Sequence, residues 1–272
     1  MPTFEIDSDN ALFYLHTPPA APEGMTFVFF NALTGDTGMW EGAIGSCLRQ
    51  AGHGTLSFNF RGQTGSPFAP GTRLDATRIV EDARRLLTAL APQNIVLTGL
   101  SIGGLFAAQA WLAGLGGLKV RGLVLINTLR SDGPRLRWVN DALVRCAEVG
   151  GLTLFRDLYA PLLFNQDWLA ANRANFLKPG PYQPLAPDSG HYQLLANAGS
   201  ADWDLPYEDL ALPVLVITGL QDHVFLDQDD VNRLFARLPE ARRLNMADAA
   251  HLLPAERPEA LASALLDFAR EC

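Results

Sequence analysis

The feature that most constrains this 272-residue chain is a series of short apolar runs that do not alternate. Thr26–Asn31 (TFVFFN), Thr55–Phe60 (TLSFNF), Asn94–Gly99 (NIVLTG) and Arg121–Asn127 (RGLVLIN) are nearly unbroken stretches of β-branched, aromatic and aliphatic residues. A strand with one wetted face alternates polar and apolar positions. A strand covered on both faces does not, so these runs predict parallel strands inside a sheet. Helical segments separate them. Trp40–Ala51 closes on Gly52. In Leu74–Leu90, Ile79, Ala83, Leu86, Leu87 and Leu90 share one face at helical spacing, with Arg78, Glu81, Asp82, Arg84 and Arg85 over the rest. Gly103–Leu115 is mostly apolar. This repetition predicts an α/β fold built on an open, doubly wound, mostly parallel sheet.

The rhythm stops after Leu129 and resumes at Leu210. Between them, Trp138–Val149 and Leu152–Tyr159 read as helices, and a stretch rich in Pro, Asn and aromatic residues follows. An insertion this long inside an α/β alternation reads as a mainly helical cap rather than a loose loop. Strand Pro213–Gly219, helix Asp229–Leu238, strand Arg242–Met246 and helix Pro258–Glu271 then complete the alternation. The expected organisation is a split core, residues 1–129 and 210–272, around a cap at 130–209.

Composition narrows the partners. With 48% apolar and 18% charged residues the chain is able to bury a sizeable core. Twenty-one Lys and Arg against 29 Asp and Glu give a net charge of −8, with no basic run. That argues against nucleic acid or an anionic membrane surface as partner. The uncharged stretch between Arg85 and Lys119 contains Pro92 and turn signals, which suit a strand, a sharp turn and a buried helix better than a membrane span. The N-terminus, MPTFE, has neither a basic nor an apolar leader region, so no signal peptide is expected. Cys47, Cys146 and Cys272 are widely spaced and form no CxxC. Structural zinc and a disulfide framework are not expected; reduced thiols in a cytoplasmic protein are.

Gly99-Leu100-Ser101-Ile102-Gly103 is a GxSxG pattern standing directly after a strand and directly before a helix. Flanking glycines permit a very tight turn, which presents the serine Oγ at the strand's end, and the free N–H groups of the helix start face developing negative charge. A serine hydroxyl needs a base and the base an orienting acid. Of the five histidines, His251 follows the last strand, and the loops after parallel strands gather at one edge of the sheet. Asp222 follows PVLVITG by two residues, at the same edge, and completes the order Ser…Asp…His. Asp132 is the second choice for the acid. The backbone N–H groups of Ile102 and Leu33 are the expected oxyanion donors.

The elbow GLSIGG, the turn Asn59–Ser66, TGLQD and AAHLLPAERPEAL occur in the order and spacing of the α/β-hydrolase superfamily, which the chain resembles over nearly its whole length. That resemblance implies Ser101 as nucleophile, His251 as base and Asp222 as acid. The loop FNALTGDTGMW carries Asn31-Ala32 where the commoner version has His-Gly. In this it is similar to the 3-oxoadipate enol-lactonase branch, as are Leu123–Gly133, the Trp that follows, Gly150-Gly151 and Ala249-Ala250-His251. Thr64 departs from that family's frequent Gly.

The expected function is a serine hydrolase that cleaves a small carboxylic ester or enol-lactone through an acyl-enzyme, with no metal and no organic cofactor. Carbon–carbon bond hydrolysis or cofactor-free perhydrolysis on the same triad is the alternative, and a non-catalytic ligand-binding protein of this fold is a further one. The resemblance also implies a substrate carboxylate, which an acidic protein must hold with a local cation. Arg130, Arg135, Arg137 and Arg61 are the candidates. Most cap aromatics are expected to pack the cap on the core. The resemblance implies that Trp138 is the exception and sits at the substrate, where Arg135 and Arg137 are also expected.

Overall fold

The N-terminal residues form a hairpin at the sheet edge, β1 (Thr3–Glu5) with β2 (Ala11–Thr17). The computed structural model describes residues 2–272, so Met1, the first residue of the expected core, lies outside it. The four apolar runs then become β3 (Thr26–Phe30), β4 (Gly54–Phe58), β5 (Ile95–Leu100) and β6 (Val120–Ile126). After the interposed segment come β7 (Val214–Gly219) and β8 (Ala241–Met246). Every residue of β3, β4, β5 and β7 is buried, as unbroken apolar runs require. The sheet runs β1-β2-β4-β3-β5-β6-β7-β8. β1 and β2 pair antiparallel and β2 joins β4 antiparallel; all other neighbours are parallel.

The helices are α1 (Gly38–Glu41), α2 (Ala43–Gln50), α3 (Ala76–Leu90), α4 (Ile102–Leu112), α5 (Pro134–Leu163), α6 (Gln166–Asn172), α7 (Gly190–Asn197), α8 (Gln228–Phe235), α9 (Leu253–Glu256) and α10 (Pro258–Ala269). They cover both faces of the sheet, and β3 shows how. Its Val28 and Phe30 join the core formed with Ile79, Leu86, Leu105 and Phe106 of α3 and α4. Its Phe27 and Phe29 join the opposite core, with Ile44, Leu48, Leu261 and Phe268 of α2 and α10. Each such fully buried side chain contributes about 1.5–3 kcal/mol. α3 starts where Asp75 accepts a hydrogen bond from the Arg78 amide, and it stops at Ala91, whose φ is 44°.

Between β6 and β7 the chain is helical, in α5, α6 and α7. The sequence suggests two helices on either side of Gly150-Gly151. α5 is two helical segments that meet at non-helical backbone at Gly151 (φ 65°, ψ −162°), so the break falls where the sequence puts it. Among the described residues no helix is long and apolar enough to cross a membrane. The three cysteines are unpaired. The parallel strands direct their carboxyl ends to one edge, so the residues that follow β3, β5, β6, β7 and β8 meet there.

Candidate active site

β5 ends at Leu100 and α4 begins at Ile102, so Ser101 alone turns the chain. Its φ of 58° and ψ of −125° cost a residue with a Cβ about 1–3 kcal/mol and persist only where the surroundings impose them. The surroundings here are the backbone after β3 and the Thr128 side chain after β6. A Cβ on Gly103 would stand 2.4 Å from the carbonyl oxygens of Phe30 and Asn31, and one on Gly104 would stand 2.0 Å from Thr128 Oγ1. The two glycines therefore let α4 press against the chain leaving β3 and β6, with Ser101 at the point of contact.

A buried polar network shapes the loop after β3. Asn31 Nδ2 donates to Phe58 O, Asn59 Oδ1 and Gln63 Oε1, and Asn31 Oδ1 accepts from Trp40 Nε1 at 2.8 Å. Gln63 Nε2 donates to Ala32 O at 2.9 Å and Leu33 O at 3.1 Å. The Ala32 carbonyl and the Leu33 N–H belong to one trans peptide and point in opposite directions. Holding that carbonyl toward Gln63 turns the Leu33 N–H the other way. Among the described residues the Leu33 and Ile102 N–H groups have no hydrogen-bond partner, and both residues line one cavity with Ser101. Asn59 Nδ2 donates to Thr64 O at 2.7 Å, so Thr64 enters the network through its backbone alone.

After β7, Asp222 Oδ1 accepts from the amides of Val224 and Phe225, each at 3.0 Å. Its Oδ2 lies 2.6 Å from His251 Nδ1. Both side chains are buried. Burial pushes the Asp222 carboxyl up, but His251, the Phe225 amide and Arg130 together outweigh it and hold the group below the ordinary carboxylate range. An ionised Asp222 accepts from Nδ1–H and leaves His251 Nε2 as an acceptor.

Two further residues fix the positions of these loops. Asn127, at φ 48°, donates from Nδ2 to the carbonyls of Ala250 and His251 at 2.9 Å, and its Oδ1 accepts from the Gly219 amide at 2.8 Å. It joins the end of β6 to the last residue of β7 and to the chain after β8. Glu256 Oε2 accepts from the Ala250 amide and from both the amide and Nδ2 of Asn165. That ties the His251 loop to the chain leaving α5. Asn127→Ala is expected to destabilise the fold by about 2–4 kcal/mol, since it strands three buried partners and leaves alanine at positive φ. Urea unfolding measures this; a change under 0.5 kcal/mol, an ordinary surface effect, contradicts it.

The cavity at this edge has a volume of about 250 Å³. Its wall is largely apolar and includes Leu33, Leu143, Phe155, Phe164, Trp168, Phe176 and Trp203. Ser101, His251 and Arg130 reach into it. Arg130 is 5% exposed, with Cζ 4.7 Å from the Trp203 ring and 4.3 Å from the Phe225 ring. Its Nη2 donates to Ser101 Oγ at 2.9 Å and to Asn127 O at 2.7 Å. Among the described residues Oγ forms no hydrogen bond with His251; its partner is Arg130.

The sequence profile of the alpha/beta hydrolase fold family matches residues 26–258. The chain belongs to the alpha/beta hydrolase fold family. Solved structures of like fold include an alpha/beta hydrolase enzyme from a Medee basin deep-sea metagenome library, at TM-score 0.81 and 17% identity over 98% of this chain and 96% of that one. The enol-lactonase from Burkholderia xenovorans aligns at TM-score 0.79 and 22% identity, over 98% and 99%. A thermophilic esterase from Thermogutta terrifontis, solved with malate bound, aligns at TM-score 0.78 and 21% identity, over 99% and 96%. At these identities the likeness is one of fold.

Within this hydrolase fold, the elbow, the Leu33 loop, Asp222 and His251 come together at the sheet edge. The expected substrate contacts do not join them. Trp138 is 78% exposed, Arg137 pairs with Asp132 at 2.6 Å on the surface, and Arg135 donates to His223 O. None of the three lines the cavity. The reason is helical phase: Leu136, Asn140 and Leu143 form the stripe of α5 that faces inward, and Arg135, Arg137 and Trp138 lie off it. Asp132, the second choice for the acid, is engaged by Arg137. Arg61 is also committed elsewhere, forming a buried bidentate pair with Asp82 at 2.6 and 2.5 Å and donating to Asn10. Sequence reasoning did not single out Gln63, Asn127 or Glu256. For Asn127 the available signal was a polar side chain directly after a strand of unbroken apolar sequence; Gln63, in the turn beyond β4, and Glu256, at the end of α9, carried no such signal.

Proposed function

We propose that this chain is a serine hydrolase that opens a small carboxylic ester or lactone through an acyl-enzyme. The observation that carries the reading is Ser101 at positive φ, lining one cavity with Leu33 and Ile102, whose N–H groups have no partner among the described residues, and with His251, which pairs with Asp222. In this mechanism His251 Nε2 takes the Ser101 proton as Oγ bonds to the carbonyl carbon. The carbonyl oxygen becomes an oxyanion held by the Leu33 and Ile102 amides, a type of contact worth about 10²–10³ in rate per donor. The oxyanion collapses, the leaving oxygen takes the proton from His251, and the acyl group stays on Oγ. Water then gives a proton to Nε2 and attacks the acyl carbon; collapse returns the proton to Oγ and releases the acid.

The helices between β6 and β7 act as the cap, residues 130–209, over the split core 1–129 and 210–272. The apolar cavity wall favours a small, mostly uncharged body for the substrate. Three unpaired cysteines suit a cytoplasmic setting. Among the described residues no group of three His, Cys, Asp or Glu side chains is placed to hold a metal ion.

A fluorophosphonate probe tests the reading together with turnover of a short neutral aryl ester and of an enol-lactone. The expected results are one probe adduct, located on Ser101 by peptide mass spectrometry, and ester or lactone turnover that the adduct abolishes. Labelling elsewhere, or turnover that survives labelling, would refute it. Turnover confined to a carbon–carbon substrate or to peroxide would reassign the reaction on the same residues.

A further inference from the structure

Arg130 touches the nucleophile, yet the proposed steps give it no part. It is a cation 5% exposed in a mostly apolar wall, and among the described residues it makes no ion pair within 4.0 Å. Burying an unpaired guanidinium is unfavourable, and the faces of Trp203 and Phe225 offset only part of the penalty. Burial lowers its pKa to about 10, against the pull of Asp222, so it stays charged at neutral pH.

Several contacts fix where that charge stands. Nη2 donates to Ser101 Oγ at 2.9 Å and to Asn127 O at 2.7 Å, and Nε donates to Thr128 O at 3.3 Å. The Phe225 ring that packs on the guanidinium also lies 4.7 Å from the His251 ring. A serine oxygen has one O–H and two lone pairs. Nη2 engages one lone pair, which leaves the O–H for His251 and the other lone pair for a carbonyl carbon.

This bond acts differently on the two halves of an acyl-enzyme cycle. During attack its effects oppose each other: the cation eases loss of the Oγ proton but makes the oxygen a weaker nucleophile. During release a single effect operates. Water bonds to the acyl carbon and passes a proton to His251 Nε2. The tetrahedral intermediate then expels either the water oxygen or Oγ. When the bond from carbon to Oγ breaks, its electron pair goes to Oγ, which takes the proton from His251; Arg130 keeps its own protons throughout. A cation already bonded to Oγ favours this branch, because charge develops where its donor points. We propose that Arg130 is a catalytic residue for release of the acid, its Nη2–H bond stabilising Ser101 Oγ as that oxygen leaves the acyl carbon. The proposal rests on the serine-hydrolase reading and adds to it a residue with a step of its own.

Stopped-flow hydrolysis of para-nitrophenyl acetate separates the two halves. The burst of nitrophenolate reports acylation, and the steady rate with decay of acetylated Ser101 reports deacylation. In Arg130→Met the deacylation constant is expected to fall about 10–10²-fold, the effect of losing one hydrogen bond from a charged donor, while the acylation constant moves by less than about threefold. The acetyl-enzyme then accumulates, kcat and KM fall together, and kcat/KM holds. A fluorophosphonate needs attack by Oγ but not its departure, so it should label the variant at close to the native rate. Should Arg130→Met not fold, Arg130→Lys decides. Its ammonium keeps the charge but lacks the planar fork that reaches Oγ and Asn127 O together, and the ratio of deacylation to acylation is expected to fall at least about threefold. Equal losses in both constants would leave Arg130 a merely structural role, and a loss in acylation alone would assign it to attack; either overturns the proposal, as does an absence of change in both. If the native protein neither acetylates Ser101 nor hydrolyses an ester, the serine-hydrolase reading itself fails, and this proposal with it.

Discussion

Replacing Ser101 with alanine is expected to lower kcat on a short ester by about 10⁴-fold or more, the loss typical of removing a nucleophile that works jointly with its base. What remains should be the contribution of the oxyanion donors and of binding, which Ser101→Ala leaves in place. The fold should survive, because the positive φ at this position is imposed by the contacts of Gly103 and Gly104 and alanine carries the same Cβ. One donor bond of Arg130 loses its acceptor, a loss of about 1–3 kcal/mol. For a domain of this size that lowers the melting temperature by a few degrees. Steady-state kinetics beside a thermal melt separates the two effects. A variant that keeps a tenth of native activity would show that another group attacks the carbonyl.

Asp222→Asn is expected to cost about 10⁴ in kcat, because an amide cannot hold His251 in the tautomer with the proton on Nδ1. It also predicts a pH effect on stability. The Asp222 carboxyl is held below its ordinary range in the folded protein. Its stabilising contribution is therefore complete above the carboxylate pKa of the unfolded chain and is lost as pH falls through the lower folded value. Native protein and Asp222→Asn should differ most in urea unfolding near neutral pH, and the gap should close as pH falls below the ordinary carboxylate range. A gap that stays constant across that window would mean that Asp222 does not titrate with folding.

The strands could be read from the sequence because burial on both faces leaves a local signature, an unbroken apolar run. The elbow could be read because the glycines beside Ser101 answer a local backbone demand. Asp222 and His251 followed from topology, since parallel strands deliver their following loops to one edge. What could not be read was phase and partnership. The helical period of α5 was visible, but which stripe faced the cavity depended on how the helix sits. Trp138, placed at the substrate by the family resemblance, lies off the stripe of Leu136, Asn140 and Leu143 that lines the cavity. Arg130 and Arg137 look alike in sequence, yet one is buried against Ser101 and the other is 69% exposed beside Asp132. The Asn31, Asn59 and Gln63 network and the bonds of Asn127 join residues far apart along the chain, and no short window contains both ends.

The order in which the strands are laid down bears on how the protein is made. Ser101 lies in β5's turn, but His251 follows β8, the last strand to be synthesised, and Asn127 and Glu256 secure that final loop from opposite sides. A nascent chain can assemble the Ser101 turn long before the loop that carries His251 exists. On the proposed mechanism, chemical competence arrives only once β8 and the loop after it have been made.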